Sequence, residues 1–118
     1  MFLKMLRAKI HRATVTQADI DYVGSITIDP DLCDAVGILP NEEVLVADLS
    51  NGARFETYVV VGERGSGVIC INGAAARLVH VGDRIIVMAF AYVTPEEARS
   101  LKTTVALVNE KNQVVKKL

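Results

Sequence analysis

Tryptophan is absent and Phe and Tyr occur three times each, so aromatics make up only 5% of the residues. Any core must therefore be aliphatic. The hydrophobic share of 51% is carried mainly by Val, Ile, Leu and Ala, a mixture that favours strands. Cysteine is scarce as well: Cys33 and Cys70 lie 37 positions apart with no CxxC, which excludes a disulfide framework and a cysteine metal site. Both read as small buried hydrophobes. The longest apolar run is the nine residues Ile85 to Val93, well short of the ~18 needed to cross a bilayer. Lys4, Arg7, Lys9 and Arg12 break up the N-terminal apolar residues, so no signal-peptide core is expected and the protein should be cytoplasmic. Charge of neither sign dominates. A net charge of −1 and a pI near 6.1 provide no general attraction for nucleic acid or anionic lipid. Two histidines, no metal-ligand spacing, no GxxxxGK and no GxSxG leave no metal, phosphate-loop or elbow chemistry to propose.

What is present is a series of short strand-like runs between turn signals. No linker, charge block or low-complexity tract divides the 118 residues, so one domain over 1–118 is expected. Phe2 to His11 and Thr14 to Gln17 read as the first strands, and Ser25 to Ile28 as another. Asp29-Pro30 opens a short helix that Gly37 closes. Glu43 to Leu49 and Arg54 to Val61 flank Ser50-Asn51-Gly52, a strong hairpin signal. Glu63 to Gly67 reads as a turn, Val68 to Ile71 as a strand and Gly73 to Leu78 as a short helix. Gly82-Asp83 turns into the strand Arg84 to Tyr92, and Thr94-Pro95-Glu96-Glu97 is a capped helix start. Thr103 to Val108 and Gln113 to Val115 form a last β pair. Glycine turns before Val44 and before Ile85 hint at an internal repeat. This pattern predicts a mainly β chain with a few short helices, closed into a small barrel. The apolar excess in so short a chain suggests surface covered by other copies of it.

Composition and spacing reach no further than that barrel. The run Met5 to Thr16 (MLRAKIHRATVT) followed by Asp21 to Asp29 (DYVGSITID) resembles the start of the aspartate 1-decarboxylases. The likeness continues through Asn51 to Tyr58 (NGARFETY), Glu63 to Gly67 (ERGSG), Ile71 to Ala76 (INGAAA) and Val81-Gly82-Asp83. It covers nearly the whole chain in order. The resemblance implies a double-psi β-barrel and a homotetramer with active sites between neighbouring subunits. It also implies conversion of L-aspartate to β-alanine and CO2 through a Schiff base, in pantothenate and coenzyme A biosynthesis. The cofactor would be a pyruvoyl group derived from Ser25, made when a zymogen cuts itself between Gly24 and Ser25 into residues 1–24 and 25–118. Whether an accessory maturation factor is a partner stays open.

The residue types suit that chemistry. A serine hydroxyl can attack the preceding carbonyl, and elimination from the resulting ester followed by hydrolysis leaves a ketone. Gly24 would let the backbone approach closely and adopt conformations costly to other residues, by ~1–3 kcal/mol. The resemblance gives Thr57 and Asn72 the oxyanion in processing, with both also near the substrate. It makes Arg54 the binder of a substrate carboxylate, Lys9 a second cation, and Tyr58 the proton donor. The backbone of Gly73, Ala74 and Ala75 would line the pocket, with His11 and Tyr22 nearby. Each has a plainer reading: Gly65-Ser66 is an ordinary turn dipeptide, and Arg54, Lys9 and Tyr58 suit a solvated or packed strand. Ala47 is a departure, since family members often carry a large aromatic there. The rival readings are a non-catalytic barrel of the same fold and a pyruvoyl decarboxylase for another amino acid.

Overall fold

A computed structural model describes residues 1–118, Met1 to Leu118. The chain runs β1 (Leu3–Thr14), β2 (Gln17–Asp19), β3 (Ser25–Ile28), α1 (Pro30–Val36), β4 (Glu43–Asp48), β5 (Arg54–Val61), β6 (Ile69–Asn72), the 3-10 helix η1 (Gly73–Leu78), β7 (Arg84–Val93), α2 (Pro95–Ser100), β8 (Thr104–Val108) and β9 (Val114–Lys117). This is the mainly β architecture that the aliphatic composition predicts. No helix is long and apolar enough to cross a membrane.

The local signals act as expected at several points. The Asp29 side chain accepts from Asp31 N, Pro30 occupies the first turn, and Gly37 ends α1 at φ +79°. Thr94 and Glu97 form a reciprocal capping box at α2. β4 and β5 pair antiparallel with Ala47 opposite Arg54. Their connection is wider than a two-residue turn, because Asp48 N donates to Ala53 O and Gly52 N to Asp48 O. Gly52 takes φ +75° there while Asn51 does not have positive φ, as a type I′ turn would need.

Other boundaries move. The strand expected over Thr14–Gln17 is not formed: Thr14 ends β1 and Gln17 starts β2. Between them Val15 N donates to Asp83 O and Thr16 N to Ile69 O, so this stretch carries the chain from one ladder to another. β6 lies one residue later than expected, at Ile69–Asn72, and β9 covers Val114–Lys117. Tertiary pairing sets these ends, and periodicity alone leaves them loose by a residue or two.

The strands are ordered β2-β6-β3-β5-β4-β7-β1-β8-β9. No ladder joins the two ends, but the continuous β1–β2 segment links the β7 side to the β6 side. The hinted repeat has a counterpart: β3-α1-β4 and β6-η1-β7 are each strand, short helix, strand, with β3 antiparallel to β6 and β4 to β7. Alternation on each strand sends one set of side chains into a common core. Ile10, Ile26, Ile28, Val46, Val59, Ile69, Ile71, Ile85 and Val87 are all fully buried, each contributing about 1.5–3 kcal/mol. The intervening residues line the opposite face of the sheet, where the candidate site lies.

Candidate active site

β3 and β6 form a short antiparallel ladder in which Ser25 pairs with Asn72 and Thr27 with Cys70. Their neighbours Ile26, Ile28, Ile69 and Ile71 fill the core. Ser25, Thr27, Cys70 and Asn72 therefore share the other face, since side chains alternate along a strand. They form one hydrogen-bonded group. Asn72 Nδ2 donates to Ser25 Oγ at 3.0 Å and to Thr27 Oγ1 at 3.0 Å. Cys70 Sγ donates to Asn72 Oδ1 at 3.1 Å, and Ser25 Oγ donates to Val23 O at 3.1 Å. Ser25 is 1% exposed although Gly24 before it lies in an exposed loop. Cys70 is buried as expected, yet it is hydrogen-bonded to a polar partner and lies outside the apolar core cluster.

The glycine that is sterically required is Gly73, and Gly24 is not. A Cβ on Gly24 would meet nothing within 4 Å and its φ lies outside the left-handed range, so the conformational argument for Gly24 fails in the intact chain. Gly73 has φ +77°, and a Cβ there would fall 2.7 Å from Gly24 Cα and 3.0 Å from Gly24 N. Only a glycine lets the start of η1 press against the Gly24 backbone. Beyond it in η1, Ala74 is exposed and Ala75 half-buried.

β5 runs parallel to β3 with Ile26 beside Val59. The ladder covers Ile26 to Ile28 and Val59 to Val61, so Thr57 and Tyr58 directly precede the β5 residues paired with β3. Tyr58 shares the outer face with Ser25. Thr57 lies on the inner side with Phe55 and Val59, and its hydroxyl makes no hydrogen bond within the chain.

Two rows extend this face across the sheet. His11 pairs with Ile86, Ile86 with Ala47, and Ala47 with Arg54. Lys9 pairs with Met88, Met88 with Leu45, and Leu45 with Glu56. Lys9, His11, Arg54 and Tyr58 thus stand on one outer face, with Ala47 next to Arg54. In the strand order β5, β4 and β7 lie between Ser25 on β3 and Lys9 and His11 on β1. A cleft of about 340 Å³ further along the face is lined by Lys4, Glu43, Glu56, Phe90 and Tyr92 among others and includes none of the candidate residues. Arg54 has no carboxylate in ion-pair range. His11 Nδ1 is shielded and has no hydrogen-bond partner. Burial first, and then the charges of Lys9, Arg12 and Arg84, lower its pKa.

Fold and site define a small mainly β protein built around a buried seryl hydroxyl at a Gly-Ser junction, with an amide donor on one side and unpaired cations on the sheet face beyond. Residues 1–115 match the family model described as aspartate decarboxylase. The chain is 57% identical over 115 residues to the aspartate 1-decarboxylase of Acetivibrio thermocellus, covering 98% of this chain and 91% of that one. It is 58% identical over 118 residues to that of Lactiplantibacillus plantarum, covering 100% and 91%, and 55% identical over 118 to that of Bacillus cereus, covering 100% and 93%. The chain belongs to the aspartate decarboxylase family.

Proposed function

We propose that this chain converts L-aspartate to β-alanine and CO2, with a pyruvoyl group made from its own Ser25 by cleavage after Gly24. The observation that carries the reading is the Ser25 hydroxyl, buried between the Val23 carbonyl and the Asn72 amide. Oγ attacks the Gly24 carbonyl carbon, a C–O bond replaces the C–N bond, and the hydroxyl proton passes to the Ser25 nitrogen. The Ser25 α-proton then leaves as the bond from Cβ to that oxygen breaks, freeing the Gly24 carboxylate and a dehydroalanine. Water converts the dehydroalanine to a ketone and ammonia departs. Charge on the Gly24 oxygen is stabilised by Thr57 and by Asn72, one of whose amide N–H groups turns to it from Thr27 Oγ1.

The residues at this junction fit the group: Ser25 supplies the oxygen that elimination needs, and Gly73 holds the Gly24 segment without a side chain between them. When formed, the group supplies a ketone that takes up the substrate amine and draws in the electrons released with CO2. The chain's own residues do the rest. Arg54 grips a substrate carboxylate through its planar fork, Lys9 adds a second positive charge, and Tyr58 returns a proton to carbon. The backbone of Gly73, Ala74 and Ala75 borders the substrate.

The working form is a cytoplasmic homotetramer with each site between neighbouring subunits. Support comes from the three strands that lie between Lys9 and Ser25 in the sheet order, and from the half-buried Leu45, Ile86 and Met88 on the outer face. The unpartnered His11 Nδ1 adds to it, because buried polar atoms are seldom left unpaired. Light scattering at micromolar concentration should give a mass of four chains, and a mass of one would remove this part.

The decisive experiment is the intact mass of purified protein before and after mild heating. Fragments of residues 1–24, with a free carboxylate, and 25–118, with a blocked N-terminus, are expected. Borohydride with aspartate should then label the larger fragment alone. A chain that stays whole under every condition would overturn the reading in favour of a non-catalytic barrel.

A further inference from the structure

We propose that Cys70 is a positioning residue for the self-cleavage: by donating its thiol hydrogen to Asn72 Oδ1, it holds the Asn72 amide with its NH2 turned toward Ser25 Oγ. The inference rests on reading Gly24-Ser25 as a processed bond. A serine hydroxyl has one proton and two lone pairs. The proton is directed to Val23 O and one lone pair accepts from Asn72, which leaves the second pair for the Gly24 carbon. If the amide turned over, Oδ1 would face Ser25 and compete with Val23 O for the hydroxyl proton. The donor to Ser25 would then be lost.

Ser25 and Thr27 cannot settle which way the amide points, because a hydroxyl can donate or accept. The third partner can. A thiol offers one weak S–H donor and only weak acceptor pairs, and at 3.1 Å from the amide that donor favours oxygen on its own side. It remains a thiol there, since burial first and the nearby Asp19 charge second raise its pKa. Cys70 is held opposite Thr27 by the β3–β6 register. It also lies outside the apolar core that its neighbours Ile69 and Ile71 fill, so core volume does not explain its burial.

The test compares Cys70→Ser, Cys70→Ala and Cys70→Val by rate of cleavage, read as intact mass against time, and by melting temperature in a Ser25→Ala background. Val restores the volume that Ala gives up and exceeds that of Cys by about one methyl group, and the melting temperature reads any strain that follows. Ala and Val should slow cleavage about two- to tenfold, the factor set by one neutral hydrogen bond, while Ser should stay within about twofold of wild type. In an Asn72→Ala background, where Thr57 still serves the oxyanion, Cys70→Ala should add nothing. Val cutting at the wild-type rate, Ser being as slow as Val, or Cys70→Ala slowing the Asn72→Ala chain further would each overturn the proposal. Wild-type protein that never cuts would instead remove the processing reading on which it rests.

Discussion

The dipeptide Gly-Ser occurs twice, and its two surroundings differ. Ser66 is exposed, and its Oγ donates to Glu63 O at 2.6 Å and accepts from Val68 N at 3.2 Å. Both partners lie within three positions, so the Ser66 hydroxyl serves only its own turn. Gly65 supports it at φ +78°, and its N–H donates to the helix cap Asp29. Ser25 is buried, and its amide partner Asn72 comes from a strand 47 positions away. Two arginines differ in the same sense. Arg64 is spent on Asp31 and Asp34 at 2.7 and 2.9 Å, whereas Arg54 has no such partner. The two Gly-Ser pairs thus differ through groups brought from elsewhere in the chain, which the dipeptide alone does not specify.

The sharpest way to break this comparison is to remove each hydroxyl. Ser25→Ala should leave one uncut, inactive chain, because alanine has no oxygen to attack Gly24 or to eliminate, while Ser66→Ala should cut and decarboxylate normally. Intact mass and β-alanine formation read both, and a cut, active Ser25→Ala chain would end the distinction.

Next in size is Tyr58→Phe, which keeps the ring and removes its proton. Turnover should drop by roughly 10²–10⁴ with cleavage preserved. A fully active, fully cut Phe variant would pass the proton-donor role to another group.

Arg54→Ala should lower kcat/KM about ten- to a hundredfold, since hydrogen bonds to charged groups contribute about 1.5–3 kcal/mol each. Cleavage should again survive. Arg64→Ala, whose side chain is 60% exposed, should leave kcat/KM unchanged, as exposed pairs add little. Equal kinetics in the two variants would take Arg54 out of the site.

The smallest contrast lies between two glycines. Gly73→Ala and Gly65→Ala should each cost about 1–3 kcal/mol, because both positions hold positive φ. Only Gly73→Ala should also slow cleavage: its Cβ would overlap Gly24 Cα, whereas that of Gly65 meets only Asp31 Oδ2 at 4.0 Å. Denaturant melts and cleavage time courses separate the two effects, and equal cleavage rates would remove Gly73 from the support of the junction.

Local chemistry is legible in the sequence. The Asp29-Pro30 start, the Gly37 stop, the Thr94 capping box and the β4–β5 hairpin all depend on residues within a few positions of one another. The matched motifs likewise lead to the family. Less legible is Cys70, which spacing reduces to a buried hydrophobe because its partner Asn72 is recognised only through the β3–β6 register. The Gly24-Ser25 dipeptide suggests a backbone freedom at Gly24 that belongs instead to Gly73, since only the packing of η1 on the 22–24 segment reveals which of the two has no room for a Cβ.

Propensity, capping and turn chemistry act over short separations, so the order of residues alone specifies an aliphatic, mainly β chain, its capped short helices, its hairpin and its family. Tertiary structure decided which strands became neighbours. It thereby decided that Ser25, Asn72 and Cys70 form one buried group, that Tyr58 and Arg54 share its face, and that Ser66 is left in a solvated turn. Burial and hydrogen bonding across a sheet depend on register between distant segments, and no local run of residues encodes that register alone.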